Sequence, residues 1–144
     1  MDVSASSGPG IQLMSSGRGA AIADYDNDGR LDIAINNMNG AANLLRNEGG
    51  HLQHWIAIRT VGRQSNRDGI GTRIQVRAGG QQQVDEVRSG GSYLSQNDLR
   101  VHFGLGNRTL VDEITLHWPS GHVDRLQRVP ADRIITVEEG QNLH

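Results

Sequence analysis

The chain of 144 residues contains no cysteine. That excludes a thiol nucleophile, a disulfide framework, an iron–sulfur cluster and any zinc site built on thiolates. Lysine is also missing, since all 14 basic residues are arginine, so Schiff-base catalysis and a lysine-bearing phosphate loop are excluded too. Aromatic side chains are few: Tyr25, Trp55, Tyr93, Phe103 and Trp118. The formal net charge is −2, far from the basic profile of a nucleic-acid binder. No apolar run approaches the roughly 20 residues of a helical membrane span, so no membrane insertion is expected. The first residues carry neither the basic nor the apolar region of a secretion signal; a secreted parent protein would carry its signal upstream.

What is abundant is glycine, 19 residues against a usual share of about 7%. Many turns and a lean core point to short strands, and a length of this order needs no covalent staple to fold. Residues 1–17 are small and polar and read as a flexible linker, anchored at most by Ile11, Leu13 and Met14. From Gly19 the short runs Ala20–Ala23, Ile33–Ile35 and Asn43–Arg46 are separated by a glycine turn and by Asn39-Gly40, which predicts three strands. A helix over Ala41–Glu48 is the competing assignment.

From residue 54 to 139 the texture is strict alternation. Ile56 and Ile58, Ile74 and Val76, the series Val101, Phe103 and Leu105, the series Ile114, Leu116 and Trp118, and finally Ile135 and Val137 each mark the inward face of a strand. Glycine pairs and Pro-containing turns separate them at about ten-residue intervals. The fold class is therefore all-β: a blade-like repeat over 18–50, then an antiparallel β-sandwich or barrel over 51–144. Residues 1–50 carry a net charge of −3 and the remainder +1.

One constellation has sharp chemical meaning. Asp24, Asp26, Asp28 and Asp32, with Gly29, give the spacing D-x-D-x-D-G-x-x-D. Carboxylates at alternate positions of a tight loop converge on one centre, glycine permits the reversal, and so many close negative charges repel unless a hard cation neutralises them. Calcium fits best, with the backbone carbonyl of Arg30 and water completing six to eight oxygens; magnesium prefers fewer protein ligands. A solvated acidic turn is the alternative. The loop is no EF-hand, because Ile35 stands where the bidentate glutamate belongs.

These residues, in the run GRGAAIADYDNDGRLDIAINNMNGAANLLRNEGG, resemble an FG-GAP/VCBS repeat, the blade unit of integrin-α-like β-propellers. The resemblance implies calcium held by Asp24, Asp26, Asp28, Asp32 and the Arg30 carbonyl, and packing on further blades of a larger protein. The later runs HWIAIRTVGRQSNRDGIGTRIQVRAGG, EVRSGGSYLSQNDLRVHFGLGN and VDEITLHWPSG resemble the ASPIC/UnbV domain of cartilage acidic protein-like secreted proteins. That resemblance implies an extracellular or periplasmic, calcium-associated module with an unidentified protein or glycan partner and no catalytic residues to carry over.

Other candidates are weaker. Ser65–Gly71 reads as a structured polar turn, or as a ligand site using Arg67 and Asp68. Ser92–Asp98 is a second loop whose Tyr93 could stack on a sugar or peptide. Trp55 and Trp118 are expected in the core. His51, His54, His102, His117 and His122 invite a metal reading, although His102 and His117 can meet only if their strands pair. Asn107-Arg108-Thr109 is a glycosylation sequon. A hydrolase using Asp85/Glu86 or Asp112/Glu113 is the alternative to a binding module, but adjacent strand residues point to opposite faces.

Overall fold

The computed structural model describes residues 7–49 and 53–141. Ten strands form three sheets, and no helix occurs among the described residues. The chain divides into two compact units, the first running to Gly49 and including Gly90–Asp98, the second comprising Gly50–Ser89 and the chain from Leu99 onward.

The first unit holds β1 (Gly17–Ala23), β2 (Asp32–Asn37) and β3 (Asn43–Leu45) as an antiparallel sheet in the order β1-β2-β3. Ala20 faces Ile35, and Ile33 faces Leu45. In the Asn-Gly connection Asn39 takes a φ of 58°, a left-handed conformation that asparagine tolerates better than most non-glycine residues. The segment Ala41–Glu48 is strand and irregular chain, not helix. The strands are short, and this sheet contributes no fully buried apolar side chain. Ile11 and Leu13 are exposed and Met14 wholly so, contrary to the expectation that they anchor the N-terminal segment. A three-stranded sheet offers no interior deep enough to hold them.

On its outer edge, β1 is covered by the excursion Gly90–Asp98. The Asp98 N–H donates to the Ile22 carbonyl (2.9 Å), and the Ile22 N–H donates to Asn97 Oδ1 (3.0 Å). By sequence position this excursion belongs to the second block, but its backbone bonds place it in the first unit.

The second unit is sandwich-like. One sheet has the order β10-β4-β7, from β4 (His54–Val61), β7 (Val101–Gly106) and β10 (Arg133–Glu138). The other has the order β6-β5-β8-β9, from β5 (Arg73–Ala78), β6 (Gln81–Glu86), β8 (Leu110–His117) and β9 (Val123–Pro130). Neither closes into a barrel. Alternation supplies the core: Ile56, Ile58, Phe103, Leu105 and Val137 from one sheet join Ile74, Val76, Ile114 and Leu116 from the other. Each such side chain contributes about 1.5–3 kcal/mol by leaving water. Gly79 and Gly80, both at positive φ, form the two-residue hairpin between β5 and β6.

One ladder is not antiparallel. β10 runs parallel to β4, with Arg133 beside Ile56 and Val137 beside Thr60. The whole of β5–β9 lies between them in sequence, so the long crossover that parallel pairing demands is available. Trp118 is buried, as expected. Trp55 is only half-buried and stacks instead on His102, with ring centroids 5.7 Å apart and planes 11° from parallel. Its neighbours Ile56 and Ile58 take the core positions of β4.

Candidate functional site

The acidic loop connects β1 to β2. Its backbone is organised by its own carboxylates. Asp24, almost fully buried, accepts the N–H groups of Asp28 (3.0 Å) and Gly29 (2.9 Å), so the chain curls around it. Gly29 has a φ of 89°, where a side chain would be strained. Asn27 also lies at positive φ, 59°. Asp28 Oδ1 accepts the Arg30 N–H at 2.9 Å.

The result brings oxygen atoms of Asp24, Asp26 and Asp28 within 4.8 Å of one another. Two oxygens held by one calcium ion at about 2.4 Å can be at most about 4.8 Å apart, so the spacing fits that ion. The hard all-oxygen donor set fits it as well. Asp32 behaves differently. It is buried, and its carboxylate accepts the Asn47 N–H (2.7 Å) and the Tyr25 N–H (3.3 Å), tying the loop to the strand end beyond β3.

Two guanidinium groups lie against the cluster. Arg46 Nη2 is 3.0 Å from Asp26 and 3.6 Å from Asp28, and Arg30 pairs with Asp28 while its Nε donates to the Asn47 carbonyl (2.7 Å). Partial burial pushes the Asp28 carboxyl up, but the Arg30 N–H, the charges of Arg30 and Arg46, and the bond with Asp26 outweigh it. The net position is below the ordinary aspartate value. Asp26, in turn, raises the pKa of Arg46.

The remaining candidates do not converge. His102 lies on β7 and His117 on β8, in different sheets. His54 Nδ1 is 2.7 Å from Asp132, and His122 Nε2 is 3.0 Å from Asp124. His51 falls outside the described residues. Asp85 accepts the Glu86 N–H and faces Arg88, while Asp112 accepts the Gly79 N–H and Glu113 faces Arg77. Tyr93 and Leu94 stand exposed at the tip of the second loop, with Leu94 at a φ of 47°. Asn107 is exposed in the turn between β7 and β8.

The loop Ser65–Gly71 is a rigid turn. Asn66 bonds both the N–H (2.8 Å) and the carbonyl (2.7 Å) of Ile70, and the Asp68 carbonyl accepts the Thr60 hydroxyl (2.8 Å). Its organiser, which sequence reasoning missed, is Glu139. This buried carboxylate accepts the N–H groups of Arg63, Gln64 and Ser65, each at 2.7 Å, together with the Ser65 hydroxyl (2.9 Å) and the Ser120 hydroxyl. Burial alone would raise its pKa, but the Ser120 hydroxyl and the three backbone donors hold it at about 2. Nothing local signals this, since Glu139 merely follows a strand and precedes a glycine. Nearby, buried Asp124 accepts from the Trp118 indole (2.7 Å) and the Gly140 N–H (3.0 Å).

An all-β module with a sandwich-like second unit and a carboxylate loop is the class that the fold and site define. The family model described as ASPIC and UnbV matches residues 62–144, and the chain belongs to that family. A comparison with curated proteins finds no match.

Proposed function

We propose that the chain is a calcium-binding interaction module of extracellular or periplasmic proteins, with its first unit an FG-GAP/VCBS-like repeat that packs on further blades in a larger protein. The observation that carries this reading is the convergence of Asp24, Asp26 and Asp28 within 4.8 Å on a loop between two strands. Those three carboxylates and the Arg30 carbonyl would hold the ion. Bound calcium would supply the positive charge that lets the carboxylates stay together, and so would fix the β1–β2 connection. Asp32 serves by setting the loop's shape through Tyr25 and Asn47.

The absence of any buried apolar side chain from the first unit's sheet supports packing on a neighbour, because a repeat of this size cannot bury its own apolar face. The test is calorimetric titration of calcium into the full chain after chelation, beside thermal melts with and without the ion. Heat at about one ion per chain with a raised melting temperature supports the reading. No heat with an unchanged melt overturns it.

A further inference from the structure

A groove of about 540 Å³ lies in the second unit between β9 and β10. Each of these is the terminal strand of its sheet, β9 in the order β6-β5-β8-β9 and β10 in the order β10-β4-β7. The groove therefore runs beside strand edges whose outward backbone donors and acceptors have no strand partner in the sheet. Its floor is apolar: Leu126, Val129 and Ile135 are partly buried and pack on the core. Its rim is basic: Arg125, Arg128 and Arg133 are exposed.

Among the described residues, none of these three arginines forms an ion pair. Others do, among them Arg30 and Arg46 in the acidic loop, Arg63 with Glu138, Arg77 with Glu113 and Arg88 with Asp85. The carboxylates adjoining the rim in sequence are committed elsewhere, Asp124 to Trp118 and His122, Asp132 to His54. Arg128 adds a backbone observation. It holds a φ of 55° inside an edge strand, a conformation costing a non-glycine residue about 1–2 kcal/mol. The inward alternation of β9 changes phase there, so that Leu126 and Val129, three positions apart, both turn toward the floor.

We infer that this groove binds an extended acidic peptide, which adds to the β9 edge, places alternate apolar side chains on the floor and offers carboxylates to Arg125, Arg128 and Arg133. Strand addition supplies backbone hydrogen bonds, the floor selects apolar side chains, and guanidinium forks match carboxylates in bidentate geometry. A sulfated polysaccharide would satisfy the arginines but leave the apolar floor and the strand edge unused. The inference rests on the reading of the chain as an interaction module. It does not depend on the calcium loop, because every residue of the groove lies in the second unit.

The experiment uses the full chain in chelator, with a fluorescent eight-residue peptide alternating Glu and Val as probe. Saturable binding is expected, weakened about tenfold or more by the double variant Arg125→Gln/Arg133→Gln and by N-methylation of alternate peptide amides, each tenfold being one 1.4 kcal/mol step. An unchanged thermal melt of the variant shows that the fold is intact. Equal binding of a Lys-Val peptide overturns the proposal, as does indifference to N-methylation, or binding of dextran sulfate where the acidic peptide fails. Calcium titration of the same sample is a separate readout, so failure of the metal reading and failure of the groove are distinguishable.

Discussion

Ser65 and Glu139, 74 positions apart, are joined twice, by the Ser65 N–H at 2.7 Å and by its hydroxyl at 2.9 Å. With the Arg63 and Gln64 N–H groups on the same carboxylate, this contact fixes the connection after β4 against the end of β10. Replacing Glu139 by Ala should leave these buried donors without an acceptor and cost about 3 kcal/mol or more. Glu139→Gln, which keeps one acceptor, should cost less. Urea denaturation of the second unit's transition measures both.

The same group predicts acid sensitivity. The pKa of Glu139 is lowered in the folded chain to about 2, against 4.5 as its reference value. A depressed carboxylate contributes stability that is complete above the unfolded pKa and is lost as pH falls through the folded one. The contribution, on the order of 3 kcal/mol, should therefore persist at neutral pH and disappear between about pH 4.5 and 2. Denaturation curves across that window should show the loss in the wild type and a flatter dependence in Glu139→Gln.

In the acidic loop, two classes of substitution should separate. Asp26→Asn removes a carboxylate of the proposed ion site that also pairs with Arg46, so it should abolish calcium heat while leaving the chelated protein's melt unchanged. Asp32→Ala strips the acceptor from Tyr25 and Asn47 and should loosen the loop without calcium present. Arg46→Gln withdraws a cation lying 3.0 Å from Asp26 and should tighten calcium several-fold. Calorimetry on the three variants distinguishes these effects.

Gly69 is a packing test. Its φ is 68°, and a Cβ there would lie 2.7 Å from the Thr60 Cβ and 3.1 Å from the Trp118 ring. Gly69→Ala should destabilise the second unit by more than about 2 kcal/mol, from strained backbone together with displaced core. A thermal melt reads it directly.

The strands that were legible in the sequence were those with one buried face. Ile56 and Ile58, Ile74 and Val76, and Val101 to Leu105 declare themselves because only alternation puts all of them inside. The two strands that side-chain periodicity does not mark, β6 and β9, are the two edges of one sheet. Gln81–Val84 is exposed throughout, and β9 interleaves Arg125, Gln127 and Arg128 with its apolar positions, as edge strands commonly do to discourage stray pairing. Their place in the sheet comes from backbone bonds to β5 and β8, which side-chain periodicity does not report.

The aspartate loop was legible because its geometry is local: Asp24, Asp26 and Asp28 meet through the chain between them. The separate role of Asp32, and the guanidinium of Arg46, depend on how β3 lies beside β2 and could not be read from spacing. Trp55 departs from its expected core position for a related reason. Being large and apolar marked it for the interior, but the pleat had already assigned that side of β4 to Ile56 and Ile58.

The excursion Gly90–Asp98 bears on how the protein is made. A ribosome delivers β1, β2 and β3 first, yet the residues that cover the β1 edge emerge only after β4, β5 and β6. Until then the Ile22 backbone has neither Asn97 nor Asp98 to bond. A gene truncated after Gly49 would encode the first unit with that edge bare, open to pairing with other nascent chains. Expressing it alone would call for grafting the nine-residue segment back by a short linker.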